Sequence, residues 1–197
     1  TSIPDLARVP EKTLLASLSA PSTWEAQNAW QQIIDRNLRG LTPDLTRLFE
    51  DIAQPSDVRI RALWALEGLR GQEPGSLERA FDNTRSRALR REILRVHADA
   101  GFPTESVLTF ASRALADPDR LVRQEAIRSL ARLIDTVAAN PAPAPGDRDQ
   151  AYRALALLLQ SAASSTAADW ARAPGFFRDF ERYLVRGDRK HTKALSR

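Results

Sequence analysis

The stretch DPDRLVRQEAIRSLARL, residues 117–133, decides the fold of this 197-residue chain. It opens with a helix-start signal, because Asp117 can cap a helix and Pro118 suits the first helical position, where no N–H is needed. Apolar residues then recur at helical spacing, at Val122, Ala126, Leu130 and Leu133. This periodicity predicts an amphipathic helix that buries one face against a neighbouring element.

The same plan recurs three times earlier in the chain. The related stretches are PSTWEAQNAWQQI from Pro21, SDVRIRALWALEGL from Ser56 and RSRALRREILRV from Arg85. Anchored on Val122, the equivalent positions are Glu25, Val58 and Leu89, so successive steps are 33, 31 and 33 residues. A helical unit repeated at this period is typical of an α-solenoid, in which each repeat buries its apolar face against its neighbours.

The predicted fold is all-α, a right-handed α-α superhelix with three regions. Residues 1–139 are expected to form four antiparallel helix pairs. Residues 140–146, with the sequence NPAPAPG, form a connector because alternating prolines cannot continue a helix. Residues 147–197 are expected to form a helical C-terminal cap and a basic tail, with a final aromatic helix near Pro174 covering the open end of the stack.

Several local features are also predicted. Ser22 and Glu25 have capping-box spacing, and so do Asp147 and Gln150. Gly40 is expected to end the first repeat with a positive φ. Two apolar stripes are expected to be buried: Leu45, Leu48, Phe49 and Ile52 in the second repeat, and Tyr152, Leu155, Leu158 and Leu159 after the connector.

Composition excludes several kinds of site. The chain has no cysteine, so it has no disulfide, no thiolate metal site and no Cys-x-x-Cys-His haem attachment. No apolar run is long enough to cross a membrane. No catalytic motif is present, and we expect neither enzymatic activity nor a cofactor. Because the chain begins with Thr1 and lacks methionine, we expect a processed chain or part of a larger protein.

The net charge of +4 is unevenly distributed. Residues 172–197 carry eight basic and three acidic residues, whereas the remaining 171 residues carry 21 basic and 22 acidic residues. The repeat body is therefore near neutral, which makes nucleic acid an unfavoured partner.

The pattern D-P-D-x-x-V-R-x-x-A-x-x-x-L of residues 117–130 resembles the HEAT repeat, an armadillo-like fold. The resemblance covers about residues 10–137 and is strongest in the second and fourth repeats. HEAT repeats often join an aspartate before the second helix to an arginine within it, in a polar ladder between neighbours. Asp117 and Arg123 fit that spacing. Arg59 and Arg90 match only the arginine, because alanine and threonine occupy the aspartate position.

A narrower resemblance concerns residues 57–69 and 114–126. Their sequences, DVRIRALWALEGL and ALADPDRLVRQEA, resemble the HEAT segment of secreted PVC-type membrane-bound dehydrogenases, which lies between a β-propeller and a c-type cytochrome. This resemblance implies a periplasmic or secreted multidomain protein. Without it, we expect a cytoplasmic protein.

The second helices supply a candidate partner-binding surface. It comprises Arg59, Arg61, Trp64, Arg90, Arg91 and Arg123. In a solenoid, equivalent helices line one continuous surface. Two interpretations of the arginines remain open: structural pairing with neighbouring acids, and a groove for an acidic partner.

Aromatic residues and histidines have both structural and functional interpretations. Trp30 and Trp64 suit core packing. With Glu67 they also suit an aromatic, acid-bearing groove, which resembles that of HEAT-like alkylpurine DNA glycosylases. His97 is expected to be a packing residue, and His191 lacks neighbours at metal-ligand spacing.

These observations favour a non-catalytic α-solenoid scaffold that binds a protein or a neighbouring domain of the same polypeptide. A nucleic-acid-binding HEAT protein resembling the glycosylases is the alternative. The oligomeric state stays open. Leu66 and Leu130 are expected to be buried at equivalent positions of their repeats.

Overall fold

The structure, a computed structural model, describes residues 9–164 and the side chains of residues 9–161. Helices contain 75% of these residues, and no strand occurs among them, which confirms the all-α prediction. The α-helices are α1 Glu11–Ser17, α2 Thr23–Asp35, α3 Thr42–Glu50, α4 Ser56–Leu69, α5 Pro74–Asp82, α6 Arg87–Asp99, α7 Thr104–Ala114, α8 Arg120–Ala139 and α9 Asp147–Ser164. A short 3₁₀ helix, Arg39–Leu41, precedes α3.

The helices pack as successive pairs. We call α1, α3, α5 and α7 the first helices and α2, α4, α6 and α8 the second helices. Each first helix packs against the second helix that follows it, and the second helices also contact one another in chain order. Helix α9 packs against α7 and α8. Among residues 9–164, no helix has the length and apolarity needed to span a membrane. The aromatic helix predicted near Pro174 and the basic tail lie outside the described residues.

Two clusters of buried apolar side chains form the core. The larger joins α1 through α6 and reaches α7 and α8 through residues such as Phe110 and Val122. The smaller joins α7, α8 and α9 around Leu130 and Leu158. Leu66 is 1% exposed and Leu130 is 0% exposed, so their predicted burial is confirmed. Each such leucine contributes about 1.5–3 kcal/mol through removal of apolar surface from water.

Two glycines allow close approach between neighbouring pairs. A Cβ on Gly68 would overlap the Ile34 side chain on α2, and a Cβ on Gly71 would lie 2.8 Å from Thr42 Cγ2 at the start of α3. Real Cβ atoms are not found at such distances. A larger residue at either position would therefore require the Ile34 or the Thr42 side chain to move.

The start of α8 differs from the prediction. Asp119, not Asp117, caps the helix: its Oδ1 accepts hydrogen bonds from the N–H groups of Leu121 at 2.8 Å and Val122 at 3.3 Å. Asp117 Oδ1 instead accepts from the Asp119 N–H at 2.8 Å, which forms a turn ahead of the helix. This turn moves the cap two residues along the chain and leaves Pro118 outside the helix.

The end of α2 also differs from the prediction. Asn37, with φ 50°, takes the left-handed conformation expected of Gly40, because asparagine tolerates it and the turn closes earlier. Gly40 lies within the 3₁₀ helix. At the other end of α2, Ser22 Oγ accepts from the Glu25 N–H at 3.3 Å, as predicted. The Glu25 carboxylate, however, accepts from Ser17 Oγ at 3.1 Å, so it bonds the preceding helix rather than closing a capping box.

Two predicted apolar stripes are partly wrong. Ile52 is 72% exposed because α3 ends at Glu50, before the stripe does. On α9, Tyr152 and Leu159 are 50% and 44% exposed, while Ala154 and Leu158 are buried. The face of α9 that packs against α7 and α8 is therefore rotated from the predicted one.

The predicted Asp147–Gln150 capping box is not formed. The Asp147 carboxylate accepts from the Ala144 N–H at 2.9 Å, within the segment that precedes α9. The Gln150 N–H bonds to the carbonyl of Gly146, whose φ is 91°.

Candidate partner-binding face of the second helices

Arg59 is a structural residue of the interior. It is 3% exposed, and its Nε donates to the Phe49 carbonyl at 2.7 Å, which satisfies an otherwise unpaired carbonyl near the end of α3. Burial lowers the pKa of the guanidinium, and the charge of Asp51 opposes that shift. Although it was predicted at the candidate surface, Arg59 does not offer its charge to a partner.

Arg90 and Asp117 join the third repeat to the fourth. Arg90 Nη2 forms an ion pair with Asp117 Oδ2, and the Asp117 side chain is fully buried. The Arg90 guanidinium also lies 4.5 Å from the centroid of the Phe81 ring, a cation–π distance. Arg123 does not pair with the Asp117 carboxylate, because its Nη1 donates to the carbonyls of Asp117 at 2.8 Å and Pro118 at 2.9 Å. The aspartate therefore pairs with the arginine of the preceding repeat.

Arg61 and Trp64 also have partners within the fold. Arg61 forms a 2.9 Å ion pair with Asp57 and donates to the Leu18 carbonyl at 2.9 Å. Trp64 Nε1 donates to Glu92 Oε2 at 3.0 Å. Among the six predicted surface residues, Arg91 alone makes no side-chain hydrogen bond or ion pair with residues 9–161.

A chain of polar contacts crosses from α4 to α6 and from α6 to α8. Arg95 on α6 donates to both Glu67 carboxylate oxygens on α4, at 2.8 and 3.0 Å, and to Glu92 at 3.0 Å. Further along, Arg132 on α8 donates to Asp99 on α6 at 3.2 Å. We call this set the second-helix ladder; it comprises Trp64, Glu67, Glu92, Arg95, Asp99, Glu125, Arg128 and Arg132.

The ladder fixes its charged groups in one arrangement. The hydrogen bonds to Glu67 are the largest cause of a raised pKa at Arg95, so this guanidinium stays charged at every accessible pH. Glu125 is 5% exposed and lies 3.0 Å from Arg128 and 3.8 Å from Arg132. Partly buried, mutually paired charges of this kind hold side-chain rotamers more firmly than isolated surface pairs do.

The ladder lies on one face of the second helices. Arg91, Arg95 and Asp99 are spaced by four residues on α6, and 120, 124, 128 and 132 are spaced by four on α8, so each set shares a helix side. We call this side the second-helix face. At its amino-terminal end lie Arg87, Arg91 and Arg120. Arg87 and Arg120 were not predicted from the sequence, because the sequence does not show which acids the fold places beside each arginine.

The predicted aromatic groove is only partly assembled. The Trp30 and Trp64 ring centroids lie 5.4 Å apart at 51°. Trp30 packs against the larger core cluster, and its indole nitrogen is buried without a hydrogen-bond partner. The Glu67 carboxylate is bound on both oxygens by Arg95. In this arrangement Glu67 joins α4 to α6 through its ion pair with Arg95.

His97 is a core residue, as predicted. It is 1% exposed, and its ring lies 4.6 Å from the Phe110 centroid and 5.0 Å from that of Phe102. Burial lowers the pKa of His97 to about 4, so the ring is neutral at physiological pH. Residues 9–161 contain no group of three or more His, Cys, Asp or Glu side chains placed to bind a metal ion.

Comparisons with known proteins give a faint structural likeness. No protein-family model matches this sequence, and no curated protein matches it significantly. Among solved structures, the chain is similar to a crystal structure of an engineered protein from the Northeast Structural Genomics Consortium. The TM-score is 0.41 and the identity is 14%, over 88% of each chain.

Proposed function

We propose that this chain is a non-catalytic helical-repeat module of HEAT type, wound as a right-handed superhelix, that holds a partner protein or a neighbouring domain against its second-helix face. The second-helix ladder is the observation that carries this proposal. Its charged side chains bond one another across three helices, which presents a fixed polar surface to an incoming partner. A surface that is ordered before binding loses less side-chain entropy when the complex forms.

Charge balance favours a protein partner over nucleic acid. Residues 9–164 contain 20 Lys or Arg and 20 Asp or Glu, so the described part of the chain is neutral at pH 7. Most of its arginines are engaged within the fold. Duplex binding draws its affinity from lysines and arginines that neutralise phosphates, and it requires a basic footprint.

The narrower proposal is that the module belongs to a PVC-type dehydrogenase, where it would separate a propeller from a cytochrome. It rests on the resemblance of the sequences of residues 57–69 and 114–126 to that family. Sequencing the gene on both sides tests it directly. A flanking propeller and a Cys-x-x-Cys-His segment are expected, and unrelated flanking sequence would contradict this part of the proposal.

Site-specific photo-crosslinking tests the binding face. We would place a photoreactive amino acid at Gln31 or Gln124 on second helices, and at exposed Thr13 or Thr109 on first helices as matched controls. The probes would be activated in the producing cells, and the adducts identified by mass spectrometry. We expect the same partner at both second-helix positions and none at the first-helix positions. Adducts that are equally abundant on both layers, or confined to first helices, would contradict the proposal.

A further inference from the structure

Most cations of the described chain have a partner within the fold, but eight do not. These eight make no side-chain hydrogen bond or ion pair with residues 9–161: Lys12, Arg70, Arg85, Arg87, Arg91, Arg120, Arg148 and Arg153. Four of them, Arg85, Arg87, Arg91 and Arg120, lie just before or within the first two turns of α6 and α8. The other four are scattered over α1, α9 and the end of α4. Unpaired positive charge is therefore concentrated in one region.

The register between α6 and α8 places Arg87, Arg91 and Arg120 on the same surface. Asp99 and Arg132 are 33 residues apart and hydrogen-bond across the two helices at 3.2 Å. Arg87 and Arg120 are also 33 residues apart, and they are the first residues of α6 and α8. Arg87 and Arg91 lie one turn apart on α6, on the side that carries the ladder. We call these three residues the arginine cluster.

Acids close to the arginine cluster are already engaged. Asp117 pairs with Arg90, Asp119 caps α8, and Glu92 accepts from Trp64 and Arg95. The amino-terminal N–H groups of both helices are also capped, by Ser86 and Asp119. The guanidinium groups themselves therefore carry the local positive charge. Like charges one turn apart destabilise a helix, so the fold gains nothing from having both Arg87 and Arg91.

We propose that the arginine cluster binds an acidic, carboxylate-bearing segment of the partner protein. This inference rests on the proposed function, because it assigns a chemistry to one end of the second-helix face. A guanidinium forms two parallel hydrogen bonds with a carboxylate, the strongest side-chain pairing of this type. Arg87 and Arg91 are separated by about 6 Å of helix rise. Alternate side chains of an extended peptide are about 7 Å apart, which matches that spacing.

The rest of the face favours carboxylates over nucleic-acid phosphates. The ladder carries four acids, Glu67, Glu92, Asp99 and Glu125, against three arginines. A phosphate backbone running along the second helices beyond the arginine cluster would meet these carboxylates. A short acidic segment would contact the cluster alone.

Fluorescence anisotropy with an acidic peptide tests this inference. The probe is a fluorescein-labelled octapeptide of alternating Glu and Ser, titrated with the intact chain at 50 mM salt. We expect saturable binding that weakens at least about tenfold in Arg87→Gln/Arg91→Gln/Arg120→Gln, because several charge-assisted hydrogen bonds are lost. The matched control is Lys12→Gln/Arg148→Gln/Arg153→Gln, which removes the same charge from other unpaired positions. The control should change the affinity less than about twofold, since charge distant from the bound peptide is screened by salt.

Each other outcome overturns the inference. No binding at 50 mM salt, or an equal loss in both triple variants, means that the cluster is not a carboxylate site. If labelled duplex DNA binds more tightly than the peptide, and this binding is lost in the same triple variant, the cluster binds phosphates instead.

Thermal unfolding must show that the variants remain folded. If the triple variant does not fold, single substitutions replace it. Arg87→Glu, at an exposed residue, must then weaken peptide binding, while Arg148→Glu must leave it unchanged. Crosslinking at Gln31 is independent of this charge, so its success alongside peptide failure would leave the proposed function standing.

Discussion

Arg95 on α6 binds the Glu67 carboxylate on α4 through two parallel hydrogen bonds, Nη2 to Oε2 at 2.8 Å and Nη1 to Oε1 at 3.0 Å. The two residues are 28 positions apart in the chain, and the pair joins the second helices of neighbouring repeats. Both side chains are about 30% exposed, so solvent screens the pair in part. This ion pair therefore links the arrangement of charges on the second-helix face to the packing of α4 against α6.

A double-mutant cycle should detect this link. We expect a coupling of about 1 kcal/mol between Glu67→Gln and Arg95→Met, measured as the free energy of urea-induced unfolding. The equivalent cycle on the exposed pair of Asp44 and Arg47 should give less than about 0.5 kcal/mol, because that pair lies within one helix and in water. Equal coupling in both cycles would show that Glu67 and Arg95 are an ordinary surface pair.

The buried ion pair between Arg90 and Asp117 should contribute more to stability than the pair between Glu67 and Arg95. The side chain at position 117 is fully buried, and Asp117→Asn removes the charge that pairs with Arg90 there. We therefore expect the variant to be destabilised by about 3 kcal/mol. Asp119→Asn is the matched control two residues away, and it should have almost no effect because asparagine caps helices as well as aspartate does. Chemical denaturation of both variants measures the difference. Similar stabilities for the two variants would contradict the assignment of separate roles to these aspartates.

Equivalent leucines should have equivalent effects. Leu66→Ala and Leu130→Ala should each lower the free energy of unfolding by about 2–5 kcal/mol, because each leaves a cavity in a close-packed core. Leu159→Ala, at a side chain that is 44% exposed, should cost less than about 1 kcal/mol. A loss below about 0.5 kcal/mol at both core positions would mean that the repeat register is wrong.

His97 should make stability depend on pH. Its pKa falls from 6.5 to about 4 on folding because the ring is buried, so the unfolded chain binds more protons between these values. The contribution of neutral His97 to the free energy of unfolding is therefore fully present above about pH 6.5. It is lost as the pH falls towards 4, which lowers the free energy of unfolding by about 3 kcal/mol. His97→Leu should reduce this dependence, because leucine occupies the equivalent positions 66 and 130. Unfolding titrations at several pH values measure it, and an unchanged slope in the variant would contradict the assignment.

Periodicity predicted the helices because it is local: residues three and four apart must share a helix side. It also placed Leu66 and Leu130 in the core. Contacts between repeats were harder to predict. The partner of Asp117 is Arg90, 27 residues earlier, whereas the resemblance to HEAT repeats indicated Arg123. Which carboxylate approaches which guanidinium depends on the offset between adjacent helices, and the sequence pattern does not specify that offset.

The candidate site shows the same limitation. Arg91 and Arg59 were both predicted at the binding surface. Arg91 makes no side-chain bond with residues 9–161, whereas Arg59 is buried and bonded to the Phe49 carbonyl. Whether an arginine is engaged or available depends on the acids and carbonyls that the fold places beside it. Arg87 and Arg120 could be recognised only once their neighbours had been assigned other partners.

Arginine modification followed by mass spectrometry measures whether the second-helix face combines a ladder of paired charges with an arginine cluster that remains available to a partner. With a phenylglyoxal-type reagent, Arg87, Arg91 and Arg120 should react faster than Arg90 and Arg95, and the acidic octapeptide should slow the reaction of these three alone. Equal rates at all five arginines, or equal protection of the control residues Arg148 and Arg153, would contradict the account.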